Sequence, residues 1–165
     1  MSQVTFKGTP VKVTGTLPSV GEKAPAFTLT ADDLSEKTLG DFAGKKKVLN
    51  IFPSLDTGTC AMSVREFNKR ATSLDDTVVF GISMDLPFAQ ARFGAAEGID
   101  HVVNLSAFRN TDFLDDYGVR MADGPLAGLA ARTVIVLDAD DTVRYVEQVS
   151  EIADEPDYEA ALKAL

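Results

Sequence analysis

Lys47-Val-Leu-Asn-Ile-Phe-Pro53-Ser-Leu-Asp-Thr57-Gly-Thr-Cys60 is the stretch of sequence on which the fold turns. Its first part, Val48-Leu-Asn-Ile-Phe52, is a short apolar run of the kind that forms a buried strand. Pro53 ends it and a loop follows. From Thr57 to about Ser73, Met62, Phe67 and Leu74, with Val64 and Ala71 beside them, recur at helical spacing. Cys60 therefore stands at the start of a helix directly after a buried strand. Unpaired amides at a helix N-terminus favour an anion and so a thiolate, and open α/β sheets place ligands at the carboxyl ends of their strands. Thr57 can bring a hydroxyl to whatever the sulfur attacks, Pro53 would narrow the pocket and remove a backbone donor, and Gly58 relieves the turn. Taken alone, a single cysteine in an apolar setting is more often a small core residue than a nucleophile. Asp56 opposes an anion next to it, so a cationic partner is needed. Arg132 is the candidate: it opens the apolar run Arg132-Thr-Val-Ile-Val-Leu137, where a guanidinium near a core requires an anionic neighbour. The alternative is a surface arginine at a strand end.

Outward from this centre, the N-terminus reads as two short strands, 4–6 and 11–14, around the turn signal Lys7-Gly-Thr-Pro10. A strand at 26–30 and a helical turn at 39–42 precede the central run. Beyond it come a strand at 78–83, a helix at 87–97 opened by Pro87 and closed by Gly98, a strand at 102–105 and a short helix at 111–117. The strand at 132–137 turns at Asp138-Ala-Asp-Asp141 into 142–148, and an amphipathic helix runs from Glu155 to Leu165. Alternating strands and helices predict parallel pairing in the middle, and the terminal hairpin predicts an antiparallel edge. This is the order of an α/β, thioredoxin-like three-layer sandwich with an added N-terminal β-hairpin, in one domain over 1–165.

Composition narrows the chemistry. The chain has 165 residues, a formal net charge of −9, one Cys and one His. That charge repels a nucleic-acid backbone or an anionic membrane, so neither is expected as a partner. The cluster Lys45 to Lys47 reads as a solvated strand start. One cysteine excludes an internal disulfide framework. One histidine with no paired-ligand spacing argues against a protein-built zinc site, and His101 reads as a surface residue. No apolar run reaches the ~18–20 residues needed to cross a bilayer, and the start lacks a signal-peptide pattern. A cytoplasmic protein is expected.

Pro53-x-x-x-Thr57-x-x-Cys60 resembles the peroxiredoxin active-site motif. Its flanks, with Asp85-Leu-Pro-Phe-Ala-Gln-Ala-Arg-Phe93, Phe108-Arg-Asn110, Gly124-Pro-Leu-Ala-Gly-Leu-Ala-Ala-Arg132 and Glu155-Pro-Asp-Tyr-Glu-Ala-Ala-Leu162, are similar to the bacterial thiol peroxidase subfamily over essentially the whole chain. The resemblance implies that Cys60 thiolate attacks a peroxide oxygen and becomes a sulfenic acid, with Arg132, Thr57 and Pro53 forming the site. It implies no metal, flavin or haem. It also implies hydrogen peroxide and organic hydroperoxides as substrates, with a lean towards the organic ones, and a homodimer packing near 85–93 and 108–110.

The match departs at the resolving cysteine. Members of the subfamily usually carry it in an Arg-Phe-Cys context, and here that position is Gly94; another frequent cysteine position is Gly81. Three readings follow: reduction of Cys60 directly by an external thiol or thioredoxin, a Cys60–Cys60 link between subunits, or an enzyme that completes the first half-reaction and recycles poorly. The first is favoured. A different class, a thioredoxin-fold binding, chaperone-like or redox-sensing module with little turnover, sits beside them. The four residues Pro53, Thr57, Cys60 and Arg132 weigh against it, because a module without chemistry has no need of all four.

Overall fold

The computed structural model describes residues 2–165. A seven-stranded sheet forms its centre: β3 (Thr28–Ala31), β4 (Glu36–Thr38), β5 (Lys46–Ile51), β6 (Thr77–Ser83), β7 (Val102–Ser106), β9 (Thr133–Leu137) and β10 (Val143–Gln148), in the order β10-β9-β5-β6-β7-β3-β4. β5, β6 and β7 pair in parallel. The terminal hairpin lies antiparallel against β5 through β9, and β3 closes antiparallel on β7. A separate three-stranded sheet joins β1 (Ser2–Phe6), β2 (Thr9–Thr14) and β8 (Arg120–Met121). Phe6 faces Thr9 across a two-residue turn at Lys7 and Gly8, where φ is 51° and 83°. Two successive positive φ values give the turn whose twist matches that of its strands.

Alternation along β5 sorts its side chains between two cores. Leu49 and Ile51 join Phe80, Ile82, Ile135 and Leu137 on one face, beneath Phe113, Leu114 and Tyr117 of the segment around α3 (Asp112–Asp116). Val48 points the other way, onto Phe67 of α1 (Gly58–Ala71) and Ala161 of α4 (Tyr158–Lys163). Phe52 continues that face and packs with Cys60, Val64 and Phe93, the last from α2 (Pro87–Glu97). Sheet and two helical layers form the α/β, thioredoxin-like sandwich expected, with the hairpin added at one end.

Differences from the sequence reading are local. Two short strands, β4 and β8, have no counterpart in it; each exists only through a partner distant in sequence or across a tight turn. The last helix spans six residues rather than eleven. Lys47 is not solvated: its side chain is fully buried, and its Nζ donates to Asp141 Oδ1 at 2.6 Å and to the carbonyl of Lys45 at 3.0 Å. Lys47 lies opposite Leu137 in β9, so the turn after β9 brings Asp141 back over it. His101 is half exposed, as a surface residue should be.

Candidate active site

The strand β5 ends at Ile51, and the chain reaches α1 through a loop pinned by one carboxylate. Asp85, just beyond β6, accepts hydrogen bonds from Ser54 Oγ at 2.7 Å, from the Leu55 amide at 2.8 Å and from Ser83 Oγ at 2.7 Å. Thr57 takes the N-cap position of α1 in extended conformation. Its hydroxyl donates back to the carbonyl of Ser54 at 3.0 Å, which tightens the turn instead of capping the helix. Cys60 is then the third helical residue, inside the first turn, where amides lack helical partners. Ser63 Oγ donates to the Cys60 carbonyl at 2.8 Å and accepts from Asn50 Nδ2 at 3.2 Å, which ties that turn to β5.

Arg132 reaches the sulfur. Its side chain is 1% exposed, and its Nη2 lies 3.3 Å from Cys60 Sγ. Nε and Nη2 also donate to the carbonyl of Ile152, at 3.0 and 2.9 Å. Nη1 is buried without a partner. A guanidinium carries five donors in a rigid fork; here one edge grips the backbone and leaves the rest of the fork for the sulfur and its surroundings. Asp56, the residue that argued against an anion, turns outward: its carboxylate is 71% exposed and pairs with Arg92 at 3.4 Å.

Pro53, Thr57 and Arg132 line one pocket of about 270 Å³, together with Phe6, Lys7, Leu126, Ile152 and Ala153. Cys60 itself is fully buried next to it. A larger groove of about 500 Å³ between Lys23, Phe27, Thr38 and Asp140 holds no cysteine and no arginine. Size therefore does not choose the site; the thiol and its guanidinium do.

Three participants escape a reading of the sequence. Asp85 fixes the loop before the helix. The carbonyl of Ile152 holds Arg132, and residues 150–153 are locked to the N-terminal hairpin. Thr5 N donates to the Ser150 carbonyl at 2.7 Å, and Ile152 N donates to the Thr5 carbonyl at 2.8 Å. Backbone contacts of this kind leave no residue signature. Asp85 does open one of the motifs quoted above, but nothing in the motif gives its role away.

At the departed positions, a Cβ built on Gly94 would meet nothing nearer than Asn104 Nδ2 at 3.8 Å. One on Gly81 would stand 2.8 Å from Asn104 Oδ1. Asn50, Gly81 and Asn104 lie side by side across β5, β6 and β7, so Asn104 fills the space over Gly81.

A thioredoxin-like sandwich with a helix-start thiol facing a buried guanidinium defines a class of redox proteins, and the chain belongs to the redoxin family, which matches residues 19–162. Within it the chain falls in the thiol peroxidase subfamily of the peroxiredoxins, with the resolving cysteine missing. It is 54% identical over 165 residues to proteins named Thiol peroxidase from Mycobacterium bovis and Mycobacterium tuberculosis, covering 100% of this chain and 99% of theirs. Among solved structures it is similar to a peroxiredoxin-like protein from Aquifex aeolicus, with TM-score 0.93 and 38% identity over 99% of this chain and 96% of that one. A thiol peroxidase from Chromobacterium violaceum follows at TM-score 0.91 and 27% identity, over 98% and 93%.

Proposed function

We propose that this thiol peroxidase reduces peroxides at Cys60, and that the 3.3 Å contact between Arg132 Nη2 and Cys60 Sγ is the observation that carries the assignment of residues. The sulfur, ionised opposite the guanidinium, attacks one oxygen of the peroxide. The O–O bond breaks, its electron pair leaves with the other oxygen, and that oxygen takes a proton to become water or an alcohol. Cys60 is left as a sulfenic acid. Arg132, with its free Nη1, stabilises charge on the departing oxygen, because donors fixed in a dry site act without reorganising. Thr57 and Pro53 shape the approach.

Gly94 leaves no second thiol within the chain, so an external thiol, thioredoxin or a small one, completes the cycle. It attacks the sulfenic sulfur, releases water and forms a mixed disulfide, which a second thiol then resolves to free Cys60. The apolar wall of Phe6, Leu126, Ile152 and Ala153 supports organic hydroperoxides as well as hydrogen peroxide. A single thiol suits a reducing compartment, which supports the cytoplasm. Among the described residues, no helix is long and apolar enough to cross a membrane. Exposed Leu86 and Phe88, 51% and 67% accessible at the start of α2, support a homodimer through that face and residues 108–110.

Stopped-flow mixing of reduced protein with peroxide, followed by mass spectrometry with and without added thiol, tests the assignment. Rapid consumption of one equivalent and a gain of one oxygen on Cys60, reversed by thiol, is expected. A rate no faster than that of a free thiol would point instead to a binding module.

A further inference from the structure

Glu151 is half-buried, and both oxygens of its carboxylate are fully engaged. Oε1 accepts from Thr5 Oγ1 at 3.0 Å and from the Gly8 amide at 2.9 Å; Oε2 accepts from the amides of Lys7 at 3.1 Å and Ala153 at 2.9 Å. Two of these donors are the turn residues of the N-terminal hairpin. A third, Ala153, follows Ile152, whose carbonyl takes both hydrogen bonds from Arg132. The carbonyl of Ala153 in turn accepts from Thr59 Oγ1 at 2.9 Å, in the first turn of the helix that carries Cys60. One carboxylate thus joins the hairpin, the segment that grips the guanidinium and the helix start that presents the thiol.

We propose that Glu151 is a positioning residue for the peroxidase reaction: by clamping residues 5–8 onto residues 151–153 it fixes the Ile152 carbonyl and, through it, the place of Arg132 against the Cys60 sulfur. The inference rests on the reading that Arg132 assists the chemistry at Cys60. The same clamp sets Phe6 and Lys7 in the pocket wall, so two effects must be separated. A displaced Arg132 slows every peroxide alike, since each meets the same sulfur. A displaced wall slows only a peroxide large enough to touch it. Small misplacements of a catalytic group cost up to about 100-fold, and neighbours acting through one another show non-additive effects.

The test is the rate of Cys60 oxidation by hydrogen peroxide and by cumene hydroperoxide in Glu151→Ala and in the milder Glu151→Gln, which keeps one acceptor oxygen. Each is also combined with Arg132→Lys, which lacks the fork that grips Ile152, and thermal unfolding verifies that every variant remains folded. Expected is a loss of about 10- to 100-fold in Glu151→Ala with hydrogen peroxide and at least as large a loss with cumene hydroperoxide, a smaller loss in Glu151→Gln, and no added loss of the hydrogen peroxide rate in the Arg132→Lys background. A folded Glu151→Ala with the hydrogen peroxide rate of the parent, a loss confined to cumene hydroperoxide, or losses that simply multiply with Arg132→Lys would each overturn the inference while leaving Arg132's role standing. An Arg132→Lys protein as fast as the parent would sink that role and the inference with it.

Discussion

Arg132 divides its guanidinium between Cys60 and the main chain: Nη2 lies 3.3 Å from the sulfur while Nε and Nη2 together hold the Ile152 carbonyl. The cation that faces the thiol is therefore aimed by backbone, and the aim depends on a segment that is 20 residues away in sequence. Cys60→Ser should abolish peroxide consumption. Arg132→Ala should slow it by about 100- to 1,000-fold, the loss typical of removing one preorganised donor. Stopped-flow rates on reduced protein, alongside circular dichroism to show a retained fold, check both.

Gly94 has room for a side chain: a Cβ at this position would lie 3.8 Å from Asn104 Nδ2 and 3.9 Å from the Ile99 carbonyl. Gly94→Cys should therefore fold, and should gain about 0.3 kcal/mol in urea unfolding of the reduced protein, because cysteine is only slightly better than glycine inside a helix. After one equivalent of peroxide, the variant should lose two hydrogens and resist alkylation, the signature of an internal disulfide. A variant that keeps a Cys60 sulfenic acid instead would show that the two positions do not meet.

Lys47 and Asp141 pair at 2.6 Å with the lysine side chain wholly buried. Removing one partner strands a buried charge, so Asp141→Asn should cost about 3–5 kcal/mol, whereas replacing the lysine by a similar-sized apolar residue, Lys47→Met, should cost far less. Asparagine tolerates the positive φ of 68° at position 141, which keeps backbone strain out of the comparison. Chemical denaturation of the two variants measures the difference.

Gly118 sits at φ +66°, and a Cβ there would stand 2.4 Å from backbone atoms of Thr16 and Leu17. No side chain can turn aside to relieve that contact. Gly118→Ala should lose roughly 2 kcal/mol or more, from the left-handed conformation together with the clash, seen as a lowered midpoint in urea.

Hydrogen bonds from the amide of Ala153, then that of Gly8, with the Lys7 amide and the Thr5 hydroxyl, hold the Glu151 carboxyl at about 2, against an ordinary value of 4.5. A carboxylate lowered by folding stabilises the native state fully above pH 4.5, and that contribution drains away as the pH falls towards 2. The thermal midpoint should fall across this window, and Glu151→Gln should fall less steeply there. Calorimetry at a series of pH values measures both slopes.

Much of the molecule is legible in its sequence, for reasons that can be named. Val48 to Phe52 is too apolar and too short to be anything but buried, and Pro53 leaves Cys60 at a helix start. Arg132 stands out because a charge heading an apolar strand needs a partner. Lys47 obeys the same rule, yet two further lysines precede it and give the segment the look of a solvated one. The partner that corrects the reading, Asp141, is 94 residues away and arrives only through the register of β5 with β9. β8 is invisible for a similar cause: Arg120 and Met121 have no strand pattern of their own and become one by meeting Val13 and Thr14. The place of Thr57 at the helix start follows from its spacing to Cys60, but the direction of its hydroxyl, back to Ser54, is a matter of turn geometry.

The clamp between residues 5–8 and residues 150–153 joins groups about 145 positions apart. Contacts of such long range form late, since the chain must close a very large loop before they bring any gain. On a ribosome adding roughly 5–20 residues per second, the hairpin would wait on the order of ten to thirty seconds for the segment that completes it. From the addition of residue 60 to that of residue 152, Cys60 exists but the carbonyl that aims Arg132 does not. The nascent chain thus carries its thiol without the machinery that makes it fast with peroxide, and reactivity switches on only once residues 150–153 have been added.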